Sequence, residues 1–508
     1  MLCIAVTPSS RTLAKVDLLN AARRADLVEL CLDHFSKDPD VGDLIAGCPK
    51  PVIVSCRSTQ HGGRFDGGET HRLGLLRQAI VAGPAYVELD VDAAEALPRF
   101  GETKRLVAFH SPHKPLKKIE ATVERAVKEF HADAVKFTWP TPHLSAAWPL
   151  IYAVSQKLSV PVVGQGIGAG GLTFSLIARR FGCPWIYAAL EKGMEDVPGQ
   201  PTVEELDACY DARSIDRRTR FVAFAGFPPN GSEDADADAA RGAICGRWNA
   251  AARTAGVPHR ALPLEAGRFD HLGEMLRILK VRAAALGPAL GAEAAAGWSR
   301  FAAPAPGTDG RSTPTAVVKE DDGWRSRASA RAATADALAA YFGGHLERRQ
   351  VAVLGAGPGA TGLCRTLRDR GATVAIADPD DDAAAALARS LNARAALWRA
   401  VYMTHFDALI RGEATSGGVS KSAALTVGGT RPDPSGAGPV PIGEGPRAFA
   451  ESGFEPRLKI ADVTAVWGDT DFLAAARRHG CTVVEPAAVR SAVLADLFRT
   501  VTETEWLD

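Results

Sequence analysis

The sequence predicts an α/β protein: an N-terminal (β/α)8 (TIM) barrel, followed by a second α/β unit that includes a Rossmann domain. Three observations predict it. Short apolar runs alternate with stretches of helical spacing from Leu2 to Ala188. Four charged or polar side chains, Glu29, Arg57, His110 and Lys136, fall on or just beyond four different apolar runs. A glycine-rich turn at residues 355–359 lies between an apolar run and a helical stretch.

The apolar runs of the first half are Leu2–Val6, 27–32, 52–56, Tyr86–Asp90, 106–109, 134–138, 160–164 and 185–188. Each is short enough for a strand. Between most of them lies a helical pattern, such as Ile119–Phe130 and 144–157. Strand and helix in such alternation build a barrel, whose chemistry gathers at the C-terminal ends of its strands. An open doubly wound sheet is the structural alternative, but those seldom reach so many consecutive βα units.

Lys136 stands inside the run Asp133-Ala134-Val135-Lys136-Phe137-Thr138, and His110 ends the run before it. Desolvation lowers a lysine's pKa, and a neutral amine attacks a ketone to form a Schiff base. A neighbouring imidazole then moves protons on and off the adduct. An isolated strand lysine more often packs its stem and sends its ammonium to water. The convergence with Glu29, Arg57 and His110 favours the chemical role, with Lys136 expected as a buried neutral amine.

These residues carry a resemblance. Residues 1–215 resemble type I 3-dehydroquinate dehydratase, through Ala25-Asp26-Leu27-Val28-Glu29-Leu30-Cys31-Leu32-Asp33, Cys56-Arg57-Ser58 with Gly62-Gly63, the runs carrying His110 and Lys136, and Pro198-Gly199-Gln200. The resemblance implies that Lys136 forms an imine with the C3 ketone of 3-dehydroquinate and that His110 is the general base and acid. It gives Glu29, Arg57 and Gln200 the substrate's hydroxyls and carboxylate to bind, with no cofactor. Departures are equally specific. Cys31 and Leu176 stand where the family has arginines, and His61 replaces a glutamate beside the catalytic histidine. Anchoring on Phe181-Gly182 puts Ser175 at the second arginine's place instead. An arginine restored at Leu176 is expected to tighten substrate binding.

The chain's 508 residues allow two to four domains. Lys plus Arg equals Asp plus Glu at 59 each, and no basic stripe invites a nucleic acid. No run of apolar residues is long enough for a membrane span. The 9 cysteines include no C-x-x-C pair and no zinc spacing, so the expectation is a reduced cytoplasm and no metal. The N-terminus reads as a strand, not a leader. Residues 211–220 are polar and read as a linker, after which residues 221–224 begin a new strand.

In the C-terminal half, Val351-Ala352-Val353-Leu354-Gly355-Ala356-Gly357-Pro358-Gly359-Ala360 follows a strand pattern, opens a helix and leads to Thr373–Ala377, ending in Asp378. That context is the one a dinucleotide fold requires. Gly355 makes the tight turn, Gly357 admits a pyrophosphate, Gly359 and Ala360 open the helix, and Asp378 meets the ribose. A Rossmann unit that binds nothing is the bland alternative.

This half resembles shikimate dehydrogenase, through Gly226-Phe227-Pro228, Trp248-Asn249-Ala250-Ala251 and the Asp462, Thr470 and Leu473 of a late motif. The resemblance implies a fusion with a substrate domain at 216–335 and an NAD(P)-binding domain at 336–508, whose last helices return to the substrate domain. NAD is favoured, because Asp378 repels a 2′-phosphate. The family's catalytic parts are replaced. Residues 232–240 are acidic and alanine-rich, residues 285–291 hold no lysine, Arg325-Ser326-Arg327-Ala328-Ser329 lacks the partner aspartate, and Ala465 and Val493 replace a tyrosine and a glutamine. Residues 412–456 are rich in Gly, Pro and Ser and read as a mobile loop or local decay. The leading expectation is a dehydroquinate dehydratase of the shikimate pathway with an impaired dehydrogenase-like partner, acting on a small molecule, with a homodimer within the family's range. The alternatives are a working dehydrogenase and a non-catalytic metabolite- or dinucleotide-binding regulator.

Overall fold

The computed structural model describes residues 1–111, 113–227, 235–264, 272–287, 297–298, 301–304, 314–321, 323–327, 329–357, 359–412, 427–431, 440–442, 449–450 and 453–504. One compact unit is Met1–Arg282, and a second opens at Ala283. No described helix is long and apolar enough to cross a membrane.

The first unit begins with alternating strands and helices: β1 (Leu2–Val6), α1 (Arg11–Arg24), β2 (Leu27–Cys31), α2 (Val41–Ala46), β3 (Val52–Ser55), α3 (Glu69–Ala82), β4 (Tyr86–Asp90), α4 (Val91–Ala96), β5 (Lys104–His110), α5 (Ile119–Phe130), β6 (Ala134–Pro140), α6 (Leu144–Ser155), β7 (Val162–Ile167), α7 (Gly171–Phe181) and β8 (Ile186–Ala189). Each strand from β1 to β7 pairs in parallel with the next, and β1 also pairs in parallel with β8. β7 and β8 lie against each other, which brings the ends of the sheet together as a (β/α)8 barrel.

Local sequence explains the elements. β1, β2 and β3 are buried along their whole length, as strands covered on both faces must be. α5 buries Ile119, Val123, Ala126 and Phe130, spaced four, three and four apart on one face, and stops at His131 in the left-handed region. Asp90 ends β4 and caps α4 by accepting from the Ala93 amide.

Some boundaries differ from expectation. β7 starts after Pro161 and runs on through Gly164-Gln165-Gly166-Ile167. Glycines weaken a strand pattern, but these two leave room for neighbours. A β-carbon at Gly164 would meet the Phe174 ring at 2.4 Å, and one at Gly166 would meet the Thr141 hydroxyl at 2.5 Å. The segment expected as a linker is anchored instead. Ala212 and Ile215 are buried, Asp211 pairs with Arg260 at 3.0 Å, and Arg260 donates to the Ser214 hydroxyl. Composition alone hid the two apolar anchors among charged neighbours.

Beyond it, β9 (Arg220–Ala225) and β10 (His259–Leu264) pair in parallel around α8 (Ala235–Thr254). Asn249 ties the group together, donating to the Cys209 carbonyl and accepting from the Ala261 amide.

The second unit contains antiparallel strands Ala283–Leu286, Ala316–Glu320 and Gly323–Arg327, then a parallel sheet. Its spatial order is Arg394–Ala395, Thr373–Ala377, Gln350–Leu354, Ala408–Arg411, Lys459–Asp462, Thr482–Val483. Ranked by chain position that is 3-2-1-4-5-6, the order of a Rossmann fold. Within the stretch expected as a loop, Val427–Arg431, Val440–Ile442 and Phe449–Ala450 form a small sheet. Phe449 packs against Trp398, Phe454 and Phe472. The remainder of that stretch lies outside the described residues, as do Pro228, 232–234, 288–291, Ala328 and Pro358 of the motifs above.

Candidate active site

The barrel interior holds a closed set of charges. The Lys136 amine donates to Glu88 Oε2 at 2.7 Å and to Glu29 Oε2 at 3.3 Å. Arg57 donates through Nη2 to Glu29 Oε1 at 2.9 Å and to Asp196 Oδ2 at 2.7 Å. Its Nε lies 3.1 Å from Glu88 Oε1, without the alignment of a hydrogen bond. The Ser55 hydroxyl also donates to Glu29 Oε1. The Lys136 ammonium lies 4.2 Å from the centre of the Tyr187 ring. Lys136, Glu29, Glu88 and Arg57 are all buried.

This arrangement corrects the expected charge of Lys136. Burial works to lower the pKa of its amine, but the Glu29 and Glu88 carboxylates outweigh that and hold it above the usual lysine range. The resting side chain is an ammonium. Burial likewise works to raise Glu29, yet Lys136 and Arg57 bring it below the usual carboxylate range. Glu88 moves the other way, raised by burial and by Glu29. Glu88 is therefore the weaker acid of the two and the readier proton acceptor. Burial opposes ionisation of Asp196, but Arg57 and Lys136 bring its pKa down to about 2.

Strand register places His110 one step nearer the mouth. Ala108 and His110 on β5 face Lys136 and Thr138 on β6. Parallel partners share a face, so His110 stands beside Thr138, two residues up from Lys136. Burial, then Arg57 and Lys136, push its pKa down to about 4, so the imidazole is neutral near pH 7. Gly62, at φ +77°, lies against the ring: a β-carbon there would sit 2.2 Å from His110 Nε2. Gln200 holds the far rim, its Oε1 accepting from the Asp196 amide at 2.8 Å.

The five sequence-predicted residues, Glu29, Arg57, His110, Lys136 and Gln200, thus converge on one end of one barrel. Sequence reading missed Glu88 and Asp196. An acid between Val87 and Leu89 is the same signal that singled out Lys136, and could have found Glu88. Asp196 had no signal, because its role depends on the loop after β8 folding back onto Arg57. Of the departures, Cys31 lies 3.9 Å from Arg57 Nη2, and burial pushes its thiol pKa well up. His61 Nε2 is 3.2 Å from Asp92 Oδ2. Leu176 has no exposed surface, and Ser175 donates to the Gly171 carbonyl. An arginine at 176 would enter a position with no exposed surface, a cost to stability that opposes the expected tightening of binding. The ligand atoms of Glu29, Cys31 and Asp196 lie within 4.8 Å of one another, but the Arg57 guanidinium already supplies their cation.

In the second unit, Gly355 and Gly359 have φ of +116° and +83°. A β-carbon at Gly359 would fall 2.1 Å from Arg331 Nη2. Asp378 is buried and accepts from the Ala356 amide at 2.7 Å and the Asp380 amide at 2.8 Å, pinning the glycine turn to the end of its second strand. Asp462 accepts from Thr470, which caps the helix Asp471–Arg478, and pairs with Arg411 at 2.9 Å. The late motif is thus accounted for as a helix start.

A model of the Type I 3-dehydroquinase family matches residues 2–217. A 3-dehydroquinate dehydratase of Thermococcus onnurineus is 30% identical over 192 residues, which cover 36% of this chain and 85% of that one. The chain belongs to the type I 3-dehydroquinase family. Its dehydroquinase barrel also matches a chloroplastic bifunctional 3-dehydroquinate dehydratase/shikimate dehydrogenase of Arabidopsis thaliana. That match is 26% identical over 220 residues, 41% of this chain and 36% of the relative's length. Among solved structures, the dehydroquinate dehydratase and shikimate dehydrogenase from S. pombe aligns over 99% of this chain and 96% of that one. Its TM-score is 0.37 and its identity 12%. At that score the fold of the second unit rests on its own strand order.

Proposed function

We propose that the dehydroquinase barrel converts 3-dehydroquinate to 3-dehydroshikimate through an imine on Lys136. The observation that carries this reading is a fully enclosed lysine between two carboxylates, one step beneath a neutral histidine at the barrel mouth. Glu88, whose proton affinity is raised, takes a proton from the Lys136 ammonium. The freed amine adds to the C3 ketone, and loss of water leaves an iminium. The iminium draws electrons from the C2–H bond, and His110 takes that proton. The C1–O bond breaks as His110 returns the proton to the departing hydroxyl, which leaves as water. Hydrolysis of the imine then releases the product and restores the amine. Glu29 and Arg57 meet the substrate's hydroxyls and Gln200 its carboxylate, and no cofactor takes part.

Borohydride reduction in the presence of 3-dehydroquinate, followed by peptide mass analysis, tests the imine, the substrate and the lysine together. A reduced adduct on the peptide holding Lys136 is expected, absent in Lys136→Ala and retained in His110→Ala with slowed elimination. Equal trapping in Lys136→Ala would remove the lysine from the mechanism.

For the rest of the chain we propose a shikimate dehydrogenase-like partner, with 216–335 on the substrate side and 336–508 on the nucleotide side. The residues suit a dinucleotide. Gly355 and Gly359 take the positive φ that such a phosphate-binding turn needs, Gly357 lies between them, and the helix opening at Ala360 favours a pyrophosphate's charge. Asp378, although buried and already accepting from the Ala356 and Asp380 amides, sets a negative charge at the end of the second strand that disfavours the 2′-phosphate of NADP and so favours NAD. With no lysine–aspartate pair in the corresponding sequence, hydride transfer to or from shikimate is impaired. The protein acts in the cytoplasm on small molecules, with a homodimer in keeping with the family.

A further inference from the structure

Gln165, on β7, carries an amide that is 3% exposed, and neither its oxygen nor its nitrogen has a hydrogen-bond partner. An unpaired buried amide is costly, and such groups commonly mark a site completed by a ligand. Its direction follows from both sides of the strand. Gly164 and Gly166 face outward, toward Phe174 and Thr141, so Gln165 between them faces the barrel interior. Across the sheet Gln165 pairs with Thr138, and Thr138 pairs with His110. Gln165, Thr138 and His110 therefore form one layer at the mouth, and Lys136, paired with Val163, lies in the layer below.

The charges beneath are engaged already. Arg57 serves Glu29, Glu88 and Asp196, and Lys136 serves Glu29 and Glu88, so neither cation is free for an anionic substituent. Among the described residues, two buried side-chain amide nitrogens remain without a partner, those of Gln165 and Gln200. α7 also begins with no side-chain cap, separated from the end of β7 by three residues. A helix N-terminus favours negative charge.

We propose that Gln165 is a substrate-binding residue: its amide nitrogen, with that of Gln200, holds the carboxylate of the ligand whose ketone meets Lys136, in place of a guanidinium. The assignment rests on the imine reading above. It makes this pocket a neutral-amide carboxylate subsite, weaker than an arginine clamp but specific in geometry.

The test compares wild type, Gln165→Met and Gln165→Glu on 3-dehydroquinate and on its methyl ester, by initial rates and by borohydride trapping, with circular dichroism reporting the fold. Gln165→Met is expected to raise KM for the acid at least about tenfold, the scale of a lost hydrogen bond to a charged group. It should still trap at saturating substrate and should change KM for the ester by less than about twofold. Gln165→Glu, which sets a carboxylate against a carboxylate, is expected to raise KM for the acid further. Wild type that traps while both folded variants match its KM within about twofold would overturn the assignment alone, as would equal losses on acid and ester. Should Gln165→Met not fold, Gln165→Glu decides by the same comparison. Wild type that traps no imine would overturn the imine reading and this assignment with it.

Discussion

Lys136 Nζ and Glu88 Oε2 lie 2.7 Å apart inside the barrel, and neither side chain has more than 2% of its surface exposed. Two ions so enclosed persist only because the charges around them alternate. Glu29 touches both Lys136 and Arg57, and Arg57 reaches on to Asp196. Removing one member of such a set leaves a buried charge uncompensated, at a cost of about 3–5 kcal/mol. The set therefore holds the amine in place and also supplies the acceptor for its proton.

Glu88→Gln should move the pH dependence of imine trapping to lower pH. Glu88 is one of two carboxylates holding the Lys136 amine above its usual range, so neutralising it lets burial lower the amine's pKa. More neutral amine is then present at any given pH. Trapping measured from pH 5 to 9 in wild type and variant checks this, and an unchanged or upward-shifted curve would exclude Glu88 as the controlling group.

His110 sets a second pH dependence. Its folded pKa of about 4 lies below the ordinary 6.5, through burial and then the charges of Arg57 and Lys136. Between those values the unfolded chain binds a proton that the folded chain does not, so stability falls as pH drops through the window. The loss amounts to about 3 kcal/mol by pH 4. Denaturant titrations at pH 7.5 and 4.5 should show a smaller loss for His110→Gln than for wild type. In catalysis, the acid limb of kcat/KM attributable to His110 should have its midpoint near pH 4, well below 6.5.

Leu176→Arg should lower stability by about 3–5 kcal/mol, because it places a guanidinium at a position with no exposed surface. A thermal melt reads it directly. A stable Leu176→Arg with a lower KM for 3-dehydroquinate would show that α7 can turn this position toward the mouth.

In the second unit, NAD should bind in preference to NADP, with negligible shikimate oxidation by either. Asp378→Ala should weaken NAD binding and lower stability by about 1–3 kcal/mol, since the Ala356 and Asp380 amides lose their acceptor. Calorimetry with both cofactors and a shikimate-dependent absorbance assay check these outcomes. Robust turnover with NADP would make this half a working dehydrogenase.

The barrel was legible because its signal is local. An apolar run and a helical face each declare themselves within a dozen residues, and β1, β4 and α5 fall where the pattern puts them. Lys136 and His110 were legible for the same reason, as polar residues out of place on apolar strands, and so was the Rossmann turn between its two strands. β7 was blurred by Gly164 and Gly166, whose purpose is contact with Phe174 and Thr141. The apolar anchors in 211–219 were masked by charged neighbours.

What the tertiary structure alone decided is the charge of the site. Lys136 meets Glu29 from 107 residues away and Glu88 from 48, and Arg57 meets Asp196 from 139. The sequence alone gave Lys136 the burial that lowers an amine's pKa. Only closure of the barrel brought the two carboxylates that raise it again. A pKa depends on distances of a few ångströms between groups far apart in the chain, and no local pattern encodes them.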